Sequence, residues 1–127
     1  MANKILIVED EPDIQEIERM VAEDLLNCQV ELAATGEEAL EKAAANPPDL
    51  LVLDLMLPGI DGFTVASRFR EDPRLRRTCI LALSGLTRQE DRDKAYASGC
   101  NDVLDKPFDL DELTRRIRGL LATCVAG

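Results

Sequence analysis

Histidine is absent from all 127 residues. That removes histidine-based catalytic triads, histidine general bases and ordinary zinc sites together. Tryptophan is absent too, and aromatic residues make up only 3% of the chain. A core must therefore be built from Leu, Ile, Val and Ala, and rings suited to stacking on nucleobases are lacking. No stretch is long and apolar enough to span a bilayer, and the N-terminus, MANKILIVED, runs straight into a strand-like segment without a signal peptide. The four cysteines, Cys28, Cys79, Cys100 and Cys124, are scattered and form no CxxC pair. They read as buried or idle thiols of a reducing cytosol, so a cytoplasmic location is expected.

What is present is apolar and acidic. Apolar residues reach 46%, and 25 Asp plus Glu against 15 Lys plus Arg give a formal charge of -10. Such a surface repels the nucleic-acid backbone and anionic lipid, so neither is an expected partner. The basic stretch Arg68, Arg70, Arg74, Arg76 and Arg77 is read as solvated surface.

Apolar runs alternate with helical periods from end to end. Ile5 to Val8, Leu50 to Leu53 and Cys79 to Leu83 are continuous apolar runs, as suits strands buried on both faces of a parallel sheet. Val30 and Leu32 alternate with polar neighbours, and Val103-Leu104 is short; both read as edge strands. The first helix is expected after Pro12, with Ile14, Ile17, Val21 and Leu25 on its inward face. Thr35 with Glu38 has capping-box spacing for the second, which ends at Asn46-Pro47-Pro48. A third follows Asp61-Gly62, with Phe63, Ala66 and Phe69 inward, and stops before Pro73. Thr87 with Glu90 opens a fourth, running to Gly99. Asp109 with Glu112 opens a fifth, with a stripe of Leu110, Leu113, Ile117 and Leu120.

Five β-α units without linker or repeat predict one α/β domain over residues 1–127. The expected architecture is a five-stranded doubly wound parallel sheet of order 2-1-3-4-5, the flavodoxin-like arrangement. Ligands of such sheets bind beyond the carboxyl ends of the strands, where the strand order reverses. The first strand ends in Glu9-Asp10-Glu11 and the third in Asp54. Clustered carboxylates are stabilised by protons or by a cation, and oxygen ligands without His or Cys favour a hard ion, Mg²⁺. The fourth strand ends in Ser84-Gly85, where glycine lets backbone approach closely. The fifth is followed by Lys106-Pro107. Carboxylate, metal, hydroxyl and ammonium are the components that hold a phosphoryl group in flight.

The segments LIVEDE, LLVLDLMLPGIDGF, LALSG and DVLDKPF resemble, in order, the four signature segments of response-regulator receiver domains. Ser84 and Lys106 lie 22 positions apart (106 − 84), the interval that family shows. The resemblance implies that Asp54 is the phosphoacceptor, attacking a phosphohistidine on a sensor histidine kinase or histidine phosphotransfer protein. Asp10, Asp54 and the Met56 main-chain carbonyl would hold Mg²⁺ directly, with Glu9 acting through water. Lys106 would pair with one phosphate oxygen, Ser84 would bond another, and the Lys106-Pro107 peptide would be cis. The chain would then be a signalling receiver that catalyses its own phosphorylation and dephosphorylation, rather than an enzyme with a separate substrate, and would switch contacts with a downstream protein. Either it stands alone or it belongs to a longer chain.

Two positions depart from the family pattern. Glu9 stands where many members have Asp, and Val103 stands where a Tyr or Phe usually swings inward. Val103 favours the alternative of a pseudo-receiver that binds partners without phosphorylation. A haloacid-dehalogenase-like phosphatase fits less well, because Met56 stands where such enzymes have a second Asp. A flavodoxin fits less well still, because a hydroxyl-rich phosphate loop and stacking aromatics are lacking. If the receiver switches, its weakly apolar fourth helix would move in place of the aromatic. Arg92, Asp102, Glu112 and Arg116 resemble charges used for symmetric pairing, so a homodimer through the fourth helix, fifth strand and fifth helix is a further expectation.

Overall fold

The computed structural model describes residues 3–86 and 88–125. Five parallel strands, β1 (Lys4–Val8), β2 (Gln29–Ala33), β3 (Leu50–Asp54), β4 (Cys79–Ser84) and β5 (Asp102–Asp105), form one sheet in the order β2-β1-β3-β4-β5. Every residue of β3 and β4 is buried, as their uninterrupted apolar runs require, and β2 and β5 lie at the edges. Alternate side chains serve opposite faces. Leu6, Val8, Leu51 and Leu53 pack with Ala39, Ala43, Phe63, Val65, Phe69 and Ala95. Ile5, Ile7, Leu50, Val52, Leu81 and Leu83 pack with Val21, Ala22, Leu113 and Ile117. Helices α2 (Gly36–Ala45), α3 (Gly62–Glu71) and α4 (Gln89–Ser98) thus cover one face, and α1 (Pro12–Met20) and α5 (Leu110–Leu120) the other.

Three helix starts are fixed by side chains. Thr35 Oγ1 accepts from the Glu38 N–H at 3.1 Å, Asp61 from Thr64 at 2.8 Å and Asp109 from Glu112 at 2.7 Å. Each removes one orphaned amide of a first turn. The expected Thr87 cap falls on a residue outside those described; α4 starts after Arg88, which supplies no side-chain cap.

The first helix differs from its expected face. It passes at Val21–Leu25 into a π-helical segment, in which the Leu26 N–H reaches back five residues to the Val21 carbonyl. Wider turns advance the chain less than 100° per residue, which displaces Leu25 from the expected face, whereas Ile17 lies in the regular helix before that segment. Ile17 (37% exposed) and Leu25 (50%) face outward, while Glu18, Val21 and Ala22 are buried. Leu110, expected in the α5 stripe, is also exposed, at the first position of that helix.

The basic stretch and the cysteines each need a correction. Arg68, Arg74, Arg76 and Arg77 are exposed as expected, but Arg70 is not ordinary surface. Its guanidinium donates to the carbonyls of Gly99 (2.7 and 3.0 Å), Thr78 (2.7 Å) and Arg76 (2.8 Å) and to Asn101 Oδ1 (2.9 Å). It ties α3 to the loop entering β5, where backbone acceptors converge on a planar donor fork. Cys28 and Cys100 are buried free thiols, whereas Cys79 and Cys124 are joined as a disulfide. Two residues 45 apart, one of them in the terminal segment, carry no spacing pattern that announces such a bond.

Candidate functional site

The expected groups meet at the carboxyl edge of the sheet. Glu9 follows β1, and its backbone is held twice: its N–H donates to the Ala33 carbonyl (3.0 Å) and its carbonyl accepts from Gln15 Nε2 (3.0 Å). Gln15 was not singled out by sequence reasoning; its signal is only a polar residue one turn into α1. Carboxylate oxygens of Glu9, Asp10 and Asp54 all lie within 4.8 Å of one another. Glu9 and Asp54 are buried (0% and 3% exposed), while Asp10 is exposed at the mouth.

Lys106 bridges the two buried acids. Its Nζ stands 3.0 Å from Glu9 Oε1 and 3.2 Å from Asp54 Oδ2. The Lys106-Pro107 peptide is cis, as the resemblance implied. Burial works against the ammonium, but its hydrogen bond to Glu9 and the charge of Asp54 outweigh burial and raise its pKa. Glu9 is pushed up to about 7, chiefly by burial, with Asp54 adding repulsion and Lys106 opposing both. One ammonium among three carboxylates leaves excess negative charge, and the all-oxygen donor set fits a hard divalent cation.

The segment after β3 is fastened to the pocket. The Met56 N–H donates to Asp54 Oδ1 at 2.9 Å, while the Met56 side chain points to solvent, 59% exposed. Gly62, opening α3, lies against this backbone: a Cβ there would stand 2.6 Å from Leu55 Cα and 2.7 Å from the Asp54 carbonyl oxygen. Any side chain at Gly62 would displace the residue that carries the central carboxylate.

Ser84 is beside the pocket but turned from it. Its carbonyl accepts from the Lys106 N–H at 2.8 Å, which fixes the two strand ends side by side. Its hydroxyl accepts from the Leu86 N–H (2.9 Å) and donates to the Leu86 carbonyl (3.3 Å). Reaching a ligand on Asp54 requires that hydroxyl to rotate. The close backbone approach expected at Gly85 is not observed, since a Cβ there would meet nothing within 4 Å.

Beneath these groups lies Glu18 of α1, fully buried, with both carboxyl oxygens free of hydrogen bonds within the described structure. Burial, and then the negative charge of Glu9, push its pKa well above the usual carboxylate range. Sequence reading missed it because a glutamate in an amphipathic helix is assigned to solvent. The available signal was its place between Ile14 and Ala22, four residues from each.

On the neighbouring edge, Val103 is buried against the α2-α3-α4 side of the core. Ala95 is the buried residue of α4, which is steadied by Lys94 stacking 4.4 Å from the Phe63 ring centre. Arg116 pairs with Asp102 (2.9 Å) and Glu112 (3.0 Å), and Arg92 with Asp105, all within one chain.

Residues 5–118 match the family model of the response regulator receiver domain. The chain belongs to that family. This receiver is 39% identical over 118 residues to the DNA-binding dual master transcriptional regulator RpaA of Synechocystis sp., covering 93% of this chain and 48% of RpaA. It is 40% identical to the transcriptional regulatory protein TrcR of Mycobacterium tuberculosis, with 93% and 45% covered. The receiver thus spans about half the length of these relatives. Among solved structures, a putative response regulator from Chloroflexus aurantiacus aligns with a TM-score of 0.89 at 36% identity, covering 96% of this chain and 99% of that one. The chemotaxis response regulator CheY4 of Vibrio cholerae aligns with a TM-score of 0.89 at 30% identity, covering 95% and 100%. The fold and the two-component receiver class expected from the residues are both borne out. No helix among the described residues is long and apolar enough to cross a membrane.

Proposed function

We propose that the whole chain, residues 1–127, acts as one phosphoacceptor receiver. In this reading Asp54 takes a phosphoryl group from a phosphohistidine on a sensor histidine kinase or histidine phosphotransfer protein. An Asp54 oxygen attacks phosphorus, the phosphorus–nitrogen bond breaks, and the leaving imidazole takes up a proton. The observation that carries this reading is the Lys106 bridge, 3.0 Å from Glu9 and 3.2 Å from Asp54. An ammonium there balances charge on the transferred oxygens without moving far. Glu9, Asp10, Asp54 and the Met56 carbonyl would hold Mg²⁺, which supplies electrostatic stabilisation of the phosphoryl oxygens. Ser84, once its hydroxyl leaves Leu86, would bond one of those oxygens, and Lys106 another. Water attacking the same phosphorus would reset the switch, so the receiver turns over its own modification and has no separate substrate.

Changes at this rim would alter contacts with a downstream protein. A homodimer through α4, β5 and α5 would exchange the Arg116–Asp102 and Arg92–Asp105 pairs between copies; charge reversal at Arg116 would then abolish self-association of the phosphorylated form in sedimentation.

Beryllofluoride binding tests the phosphoacceptor reading. With Mg²⁺ present, amide signals of Met56, Leu86 and Lys106 should shift in the wild type and stay fixed in Asp54→Ala. Unmoved wild-type signals would favour a pseudo-receiver that binds partners without phosphorylation.

A further inference from the structure

Cys79 opens β4, and Cys124 lies 45 residues later in a π-helical segment, Leu121–Val125, that continues α5. Their Cα atoms are 6.2 Å apart, a separation a disulfide spans without backbone movement. We propose that this pair is a site of reversible thiol–disulfide exchange, separate from the acidic rim, whose oxidised form fastens the C-terminal helical segment to the base of the sheet.

The two sulfurs have unequal surroundings. Cys79 is buried, 5% exposed, within the core under α1 and α5. Cys124 is half-buried and lines an open cleft with Pro47, Pro48, Asp49, Arg74, Arg77 and Thr78. A reagent therefore reaches Cys124 first, and Cys79 waits behind it as the resolving thiol. Arg74 and Arg77, against one Asp49, suit a reagent that carries carboxylates: an anionic low-molecular-weight disulfide. The other two thiols do not compete. Cys28 and Cys100 are buried, and burial pushes both thiols up, Cys100 to about 11.

The exchange balances in two steps. The Cys124 thiolate attacks one sulfur of the external disulfide, forming a mixed disulfide and releasing one thiolate that takes up a proton. The Cys79 thiolate then attacks the Cys124 sulfur, the mixed disulfide breaks, and the second small thiol leaves. Two protein thiols are oxidised and one external disulfide is reduced; a dithiol reverses both steps.

What the bond controls is local. Among the described side chains, Leu121 and Cys124 pack the terminal segment on this core and both are only partly buried, so these apolar contacts hold it weakly without the cross-link. Cys79 and Ser84 stand at opposite ends of β4, about 16 Å apart at ~3.3 Å per residue. The cross-link can thus open and close while the strand ends that carry Asp54 and Ser84 keep their places.

The test uses the full chain, reduced with a dithiol and then exposed to glutathione disulfide, with intact mass, peptide mapping and amide hydrogen exchange as readouts. Wild type should finish two hydrogens lighter than its reduced form, with the Cys79 and Cys124 peptides cross-linked. Cys79→Ser should stop at a glutathione adduct on Cys124, and Cys124→Ser should take no adduct while folded. Exchange of the Leu121–Cys124 amides should quicken by about tenfold or more on reduction. A wild type that stays reduced, that keeps a stable Cys124 adduct, or whose terminal amides exchange equally in both states would overturn the proposal.

Discussion

The ammonium of Lys106 lies 3.0 Å from Glu9 Oε1, so residues 97 apart in the chain close one side of the acidic pocket. In that position Lys106 occupies the same carboxylates that a divalent cation would use. Lys106→Ala should therefore strengthen Mg²⁺ binding, by about threefold to tenfold, since a like charge leaves the site. The same change should slow phosphorylation of Asp54 by about a hundredfold. Calorimetric titration with Mg²⁺ and a phosphorylation time course separate the two effects. Weakened Mg²⁺ binding in this variant would contradict a competing role for the ammonium.

Glu18 should make the fold less stable as pH rises. Its folded-state pKa lies well above the unfolded value of about 4.3. The unfolded chain therefore releases this proton first, so the Glu18 contribution is whole below about pH 4.3 and is lost as pH climbs towards the folded value. Glu18→Leu removes that loss and an unpaired buried carboxyl. It should raise stability at neutral pH by about 1–3 kcal/mol. The difference from wild type should widen with pH above ~4.3, by up to about 1.4 kcal/mol per unit. Urea unfolding in chelator across pH 4 to 8 measures this; a variant no more stable than wild type at every pH would show that Glu18 finds a partner.

Arg70 should behave as a core residue although it is only partly buried. Its guanidinium serves three backbone carbonyls and Asn101, and Asn101 Oδ1 also receives the Ile80 N–H at 2.7 Å. Arg70→Ala leaves those acceptors unpaired and should cost about 2–3 kcal/mol, with Arg70→Lys recovering little, because an ammonium cannot match the fork. Denaturant midpoints of the two variants test this, and a shift equal to that of Arg68→Ala would refute it.

These residues mark where the sequence was legible and where it was not. The strands could be read because Leu50 to Leu53 and Cys79 to Leu83 are apolar without interruption, and only a doubly covered parallel sheet buries such runs. The rim could be read because Glu9, Asp54, Ser84 and Lys106 each sit at or just past a strand end, so topology alone brings them together. Arg70 was misassigned because charge was taken as a sign of exposure, while the decisive fact was a set of converging carbonyls, and Glu18 was passed over for the same reason although it sits on the buried face of α1. The Ser84 hydroxyl direction depends on Leu86 backbone groups, and the Cys79–Cys124 bond on a contact between chain segments; neither leaves a periodic trace.

Val103 should leave signalling to α4. A buried β-branched side chain has one favoured rotamer and cannot swing as an aromatic ring does. Helix α4 buries Ala95 and leaves most of its other residues wet, so it is held weakly. On beryllofluoride binding, amides from Gln89 to Ser98 should shift while the Val103 methyl signals stay nearly fixed. Unchanged α4 amides would sink this route.

Intact-mass analysis after incubation with acetyl phosphate, with and without Mg²⁺, tests the phosphoacceptor assignment most directly. Wild type should gain one phosphoryl group only when Mg²⁺ is present, and Asp54→Ala should gain none. An adduct that persists in Asp54→Ala, or a wild type that gains none and also fails to bind beryllofluoride, would contradict it.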